Sequence, residues 1–421
     1  MTSSPPSSGS EGPSASAAGG STEGSVGETV PEDAGDGRGV LLTVAGGNFA
    51  QLGSRLVLSA VVPLVLVRFG ASKSSVGLAL TGMWVVYALI QFPSGVLADR
   101  FGERRLLLGG LVGVGVGAAT VALAPSLAAF GVAVLVLGAG GGLFFPAASA
   151  LVSRLSTSRG GSLGFLTAAG AISGVVYPAV GGTVATRFDW RAAVALGAVA
   201  VLPCLLATVL LVPSLPPVRP NRRLGVLVDA RYLAEILTRP GVAYTTLLAV
   251  LGAFTIQGYS SFFPTFLVEY RGLDTGTAGL AFGVAFALSA VAQPAAGALS
   301  DRTSRDLALA ASIGLTAVGF LVILAVPGTA GLVAGVALLG VGISWPGVIS
   351  ARIMDQLDAS ERGLGFGLVR TVFLVLAASG SAVVGALADY GGWGLAFGAL
   401  VAVLAAYLLL LAANHALGLD L

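Results

Sequence analysis

The chain reads QFPSGVLADR at Gln91–Arg100 and QPAAGALSDR at Gln293–Arg302. Five of ten positions are identical, at an offset of 202 residues in a chain of 421. Each copy closes a long apolar run with an abrupt Asp-Arg. A repeat of nearly half the chain sets the architecture before any single residue does. In a polytopic membrane chain, two such copies imply two similar helical bundles, the layout of a transporter.

The similarity extends in both directions. Pro63 matches Pro264, and Ser75–Leu80 matches Thr277–Phe282. Pro146 matches Pro346, Arg159-Gly160 matches Arg362-Gly363, and Gly182 and Trp190 match Gly385 and Trp393. The offsets drift only from 200 to 203. Hydrophobic residues make up 55% and charged residues 10%, against about 25% charged in a soluble domain. That excludes an ordinary globular fold. Runs of about 20 apolar residues cross a bilayer as helix, and twelve are present: 40–68, 75–97, 105–124, 127–152, 162–185, 191–212, 242–268, 276–299, 307–327, 329–351, 364–388 and 393–414. The expected fold is an all-α membrane protein of twelve transmembrane helices in two pseudo-symmetric six-helix bundles, 40–212 and 242–414.

The segments outside the bundles are polar. Residues 1–39 are rich in Ser, Gly, Pro and acid and read as a disordered cytosolic tail, without the pattern of a signal peptide. Residues 213–241 read as a proline-rich linker with a short interfacial helix over Leu224–Leu237, and 415–421 as a second tail. With the N-terminus inside, 15 of the 22 Lys and Arg residues fall on the cytosolic side and five outside. The positive-inside bias thus predicts a multi-pass protein of the cell membrane with both termini cytosolic. The net charge of +2 gives no reason to expect nucleic acid. The single cysteine, Cys204, excludes an intrachain disulfide and a thiolate metal cluster. No cofactor or metal is expected; the expected partners are a small molecule and lipid, with a monomer as the working unit.

Gly95-x-x-x-Asp99-Arg100-x-Gly102-x-Arg104-Arg105 resembles the signature loop of the major facilitator superfamily. Gly297-x-x-x-Asp301-Arg302-x-x-Arg305 resembles its degenerate second copy. The resemblance covers 40–414 and implies two bundles rocking around one central site. It also implies a gate. Gly95 would allow close packing on the opposite bundle, and Asp99 would face the positive N-terminal end of span 11. Arg100, Arg104 and Arg105 would pair with acids or lipid phosphates, with Gly297, Asp301 and Arg302 as the second-half counterparts. The plainer alternative is that these arginines only enforce topology.

Two arginines lie inside spans: Arg55 near the middle of span 1 and Arg370 about seven residues into span 11. All 20 acids fall in tails, loops or near span ends. A charge at such depth costs about 2.5–3.5 kcal/mol on insertion scales, which suggests an anionic partner that comes and goes. Arginine's planar fork suits carboxylate and phosphate. In the fold that the resemblance implies, spans 1 and 11 both line the central cavity. Asn48 and Gln51 share a face with Arg55, Trp84 and Tyr87 share one on span 2, and Gln257 sits near the repeat equivalent of Arg55. Tyr259 and Trp345 complete the candidate set, with Tyr177, Gln91 and Gln293 behind them. Alternatively, Arg55 serves structure through Asn48, Gln51 and carbonyls, and Arg370 snorkels or joins the gate. The proton-driven exporters of the superfamily carry a span 4 arginine where Val134 stands here, and their span 5 motif is matched poorly around Tyr177. Glu269, at the outer end of span 7, is the acid nearest a cavity rim.

The sequence therefore points to a secondary transporter moving a small organic anion by alternating access. A multidrug or hydrophobic-solute exporter and a non-transporting solute sensor are the rivals. An enzyme is not expected, because no buried His-acid, Ser-His or metal-ligand cluster is present. The orientation has a direct test. Cysteines at Ser3, Ser214 and Gly418, on a Cys204→Ala background, should resist an impermeant thiol reagent applied to intact cells. Labelling of any of them would reverse the assignment.

Overall fold

The computed structural model describes residues 37–156, 159–218, 220, 230–358 and 362–419. Among these are fourteen helices. The first half carries α1 (Gly37–Phe69), α2 (Lys73–Phe101), α3 (Glu103–Ala122), α4 (Leu127–Leu155), α5 (Arg159–Arg187) and α6 (Trp190–Leu211). The short α7 (Ala230–Thr238) precedes α8 (Pro240–Arg271), α9 (Thr275–Arg302), α10 (Arg305–Ala325), α11 (Gly328–Gly342), α12 (Pro346–Asp355), α13 (Arg362–Ala377) and α14 (Ser379–Leu417). The interfacial helix expected over Leu224–Leu237 is present from Ala230; its start and most of the expected tail lie outside the described residues. Polar caps set the helix starts. Ser72, Ser126, Asp274 and Ser304 each accept a bond from a backbone N–H three residues on, satisfying a donor that the first turn leaves open.

Eleven described stretches are long and apolar enough to cross a membrane, and the last, Gly365–Leu417, has 53 residues. As helix that run is about 80 Å long, more than twice the roughly 30 Å of a bilayer's hydrocarbon. Gly392 divides it, with φ 78° and ψ 179°, a conformation open only to glycine. Counting both parts gives the twelve crossings. Span 10 is also broken, between α11 and α12, where Pro346 opens a new helix. Proline lacks the N–H and clashes with the carbonyl four residues back. Pro146, its repeat mate, sits inside an unbroken α4.

The halves meet along α5–α9, α2–α14 and α1–α8. Glycine makes these contacts close. A Cβ on Gly77 would stand 2.5 Å from the Ser381 carbonyl oxygen, one on Gly279 2.3 Å from that of Pro178, and one on Gly182 2.7 Å from that of Thr275. Thr81 Oγ1 donates to the Ala378 carbonyl at 2.9 Å, and Ser59 Oγ to that of Ser260. All of these contacts lie from mid-helix toward the end of the molecule that carries Lys73. Toward the opposite end, which carries Asp99, a Cβ on Gly95, Gly164 or Gly297 would meet nothing within 4 Å. Phe165 and Val291 are exposed there, at 45% and 78%. The structure is closed at the Lys73 end and parted at the Asp99 end.

The glycine contacts are steric, so a larger side chain should act as a wedge. With Thr81→Cys and Ala378→Cys on a Cys204→Ala background, a short bifunctional maleimide should join α2 to α14. Adding Gly77→Val should lower the yield severalfold. An unchanged yield would show that close approach at Gly77 is not needed to close that end.

Candidate functional site

Arg55 lies at the centre of α1 and is 1% exposed. Its position follows from the helix period: Asn48, Gln51 and Arg55 fall on one face. The polar groups form a chain. Arg55 Nη2 donates to Gln51 Oε1 at 2.6 Å, and Gln51 Nε2 to Asn48 Oδ1 at 2.7 Å. Asn48 Nδ2 then donates to the Leu166 carbonyl of α5 at 2.8 Å. From α2, Tyr87 and Trp84 turn their rings to the guanidinium, with centroids 4.0 and 5.0 Å from Cζ. The two rings meet edge to face at 5.5 Å. A desolvated cation over such faces gains about 2 kcal/mol.

Among the described residues, every hydrogen-bond acceptor on Arg55 is neutral. Among the described residues no carboxylate forms an ion pair with it, and Nη1 is buried without an acceptor at hydrogen-bond geometry. The bonds and ring contacts offset the cost of inserting the ion, but the charge remains. α4 leaves it room through Gly141, where a Cβ would come 3.0 Å from Gln51 Oε1 and 3.2 Å from Arg55 Cζ. One turn further along α4, Phe145 carries the second intramembrane arginine. Arg370 reaches it from α13, its Cζ 5.6 Å from the ring centroid. Arg370 is half-buried and its Nε is without a partner. Gly141 and Phe145, four residues apart, share a face about 6 Å long. Both guanidinium groups thus address one side of α4, one from each half.

The other expected site residues make different contacts. Gln257 is buried on α8, where its carbonyl accepts from Ser381 Oγ at 3.3 Å. Tyr259 packs tilted against Phe263 and edge-on against Phe282 and Phe320. With Trp345, which packs onto Gly252, it lines a cavity of about 10 Å³, space for about one water. Tyr177 packs against Gly53 and Phe49. Gln91 is buried and its repeat mate Gln293 is exposed. Glu269 accepts from Trp393 Nε1 at 2.9 Å and pairs with Lys73 Nζ at 3.2 Å. His415 lies in the last turn of α14. No group of three or more metal-ligating side chains occurs among the described residues.

The signature loops lie at the parted end. Arg100 stacks on Phe101, Arg104 donates to the Val209 carbonyl at 2.6 Å, and Arg105 is exposed. Gly95 contacts no opposing helix in this state. Asp301 pairs inside its own half with Arg305 at 2.6 Å, while Arg302 is exposed. Two repeat-related pairs escaped the sequence reading: Glu103–Arg154 at 2.7 Å and Asp306–Arg352. Each joins an acid in the first turn of a bundle's third helix to an arginine ending its fourth. Gly141 and Phe145 were also missed.

A family model described as Major Facilitator Superfamily matches residues 44–351 and 246–416. The chain belongs to the major facilitator superfamily. The chain spans about half the length of the curated relatives it matches. It is 31% identical over 190 residues to the multidrug resistance protein MdtH of Shigella dysenteriae serotype 1 (strain Sd197), covering 43% of this chain and 47% of the relative. It is 24% identical over 253 residues to the nitrite extrusion protein of Bacillus subtilis (strain 168), covering 59% and 62%. The fold matches the nucleoside transporter NupG with TM-score 0.77 at 13% identity, covering 89% of this chain and 99% of that one. It matches a bacterial homologue of the lysosomal transporter Spinster, in an inward-facing and occupied conformation, with TM-score 0.73 at 15% identity, covering 88% and 95%. The human organic anion transporter MFSD10 matches with TM-score 0.67 at 18% identity, covering 89% and 99%. The family match and the eleven stretches long and apolar enough to cross a membrane make this chain a multi-pass membrane protein of the superfamily.

Arg55 without a carboxylate makes a sharp prediction. Gln51→Glu places a carboxylate where the amide oxygen now accepts, turning a neutral contact into a buried ion pair. The apparent melting temperature should rise by about 2 °C or more, while Gln51→Leu, which strips the acceptor from a buried charge, should lower it. Thermal unfolding in detergent reads both. A rise with Leu or a fall with Glu would mean that Arg55 is already neutralised.

Proposed function

We propose that this protein is a secondary transporter that moves a small organic anion by alternating access, with Arg55 as the principal anion-binding group. The observation that carries the reading is the buried Arg55 guanidinium, which has neutral acceptors only. Arg370 supports it, because it approaches the same side of α4 from the other half. An anion drawn between them would contact both bundles at once, and that contact is what links binding to movement. Gln51 then acts as the resting acceptor that a substrate oxygen displaces. Tyr87, Trp84 and Phe145 form apolar walls that strengthen the attraction by excluding water. A relative named for nitrite extrusion and a structural neighbour titled an organic anion transporter are in keeping with anionic cargo. From the arginine bias we infer that the Asp99 end and both termini are cytosolic, which would make this the inward-open state.

The similarity to MdtH favours a second reading, a multidrug exporter in which Arg55 is structural. Mutation separates the two. Arg55→Gln keeps hydrogen bonding and removes the charge. A charge-assisted bond contributes about 1.5–3 kcal/mol, so anion affinity should fall about 10- to 150-fold. Arg55→Lys should also be impaired, because a point charge cannot make a two-pronged contact. Arg370→Gln should weaken the same ligand, and the double variant should lose less than the sum if both grip one anion. Wild-type transport of an identified anion by well-folded Arg55→Gln would end the anion reading. Transport of neutral or cationic compounds by that variant would favour the exporter.

A further inference from the structure

At the closed end of the molecule, a carboxylate from the second half sits on the first turn of a helix from the first half. Asp389 Oδ1 accepts from the backbone N–H of Lys73 at 3.1 Å. Asp389 Oδ2 accepts from the N–H of Ser74 at 2.7 Å and from the Ser74 hydroxyl. These are the first two N–H groups of α2, which have no partner inside the helix. The helix dipole gives that end a partial positive charge. Ser72 supplies the local cap through Ser75, so Asp389 completes the capping in trans. The Lys73 side chain adds a second tie, pairing with Glu269 of α8 at 3.2 Å and lying over the Trp393 ring at 5.5 Å. Every group in the cluster that holds the first half is thus matched by one from the second half.

The pseudo-symmetric interface lacks this device. Gly385 corresponds to Gly182, so Asp389 corresponds to Thr186. The first turn of α9 is capped by its own Asp274, and α5 meets it through backbone at Gly182 and Thr275. Among the described residues, charge across the halves at this end is concentrated on the first turn of α2, which Asp389 of α14 and Glu269 of α8 both reach. α2 also carries the expected gate at the other end. Asp99 lies 26 residues beyond Lys73 on α2, about 39 Å along the axis. The resemblance gives it the same kind of partner, the N-terminus of span 11, whose first helix is α13. In this structure Gly95, one turn before Asp99, faces open space.

We propose that Asp389 is the latch of the state that opens at the Asp99 end, closing the Lys73 end by capping the N-terminus of α2. The two carboxylates form a reciprocal pair on one pair of helices. When α2 and the span formed by α13 and the start of α14 part at the Lys73 end, Asp389 loses its three donors. The proposal rests on the alternating access proposed above and adds the residue that holds one of its two states.

Distances between spin labels test it. On a Cys204→Ala background, Phe188→Cys with Val326→Cys spans the Lys73 end, and Ser156→Cys with Thr303→Cys spans the Asp99 end. Asp389→Asn should lengthen the first distance and shorten the second, raising the ratio of the two populations about 10- to 150-fold, as loss of a charge-assisted contact does. Ser74→Ala removes the hydroxyl bond alone and should give a smaller shift in the same direction, which decides the matter if Asp389→Asn folds poorly. Asp99→Asn should shift both distances the opposite way, and combining it with Asp389→Asn should return them toward wild type. If Asp99→Asn moves the mouths while Asp389→Asn and Ser74→Ala do not, the latch is refuted and alternating access stands. If none of these variants moves either mouth, alternating access fails and the latch with it.

Discussion

Arg55 carries its charge between α1, α2, α4 and α5, and the helices around it are arranged to tolerate that charge. α1 supplies acceptors at the helical period, α2 supplies two ring faces, and α4 supplies a glycine where a side chain would collide. None of these contacts cancels the charge. A carboxylate at Gln51 would do so and would stabilise the bundle. The chain instead has an amide there, so the field of the guanidinium stays uncompensated by these contacts. Such a field is strong because the surrounding medium polarises little.

A site of this kind moves cargo only if its two walls can separate on either side in turn. The walls meet by backbone approach at Gly77, Gly182 and Gly279, and Phe286 of α9 sits against Gly174 of α5. Small residues at helix interfaces allow tight packing in lipid, where apolar burial does not drive association. They also allow contacts that come apart with little rearrangement. The polar ties added to this seam are few and local, chiefly Asp389 on the first turn of α2 and Lys73 on Glu269. Few strong ties at the ends and many weak ones between them suit a rocking motion.

Much of this was legible in the sequence. The duplicated Asp-Arg loops and their nearly constant offset pointed to two similar bundles, and twelve apolar runs fell within a few residues of the helices. The helical period alone placed Asn48, Gln51 and Arg55 on one face and Trp84 with Tyr87 on another. The break at Gly392 fell in the expected gap between spans 11 and 12, but the one at Ile343–Trp345 was not legible, because glycine and proline occur throughout the apolar runs and most do not break a helix. Phe145 and Gly141 escaped notice because an apolar residue in an apolar helix carries no signal; their meaning comes from the arginines that reach them. Tyr259 and Trp345 were picked by residue type; in the structure Tyr259 packs among phenylalanine rings and Trp345 on Gly252, within the second half. Asp389 resembled any acid at a span end, since its partners are backbone groups more than 300 residues away in sequence.

The central claim is that negative charge on the cargo, and not its shape, is what Arg55 recognises. The direct measurement is thermal stabilisation of the purified protein by organic anions, each paired with its neutral amide of nearly the same shape. The account predicts that an anion raises the melting temperature while its amide does not, and that the difference vanishes in Arg55→Gln. Equal stabilisation by both members of each pair, or a difference that survives the loss of Arg55, would contradict it.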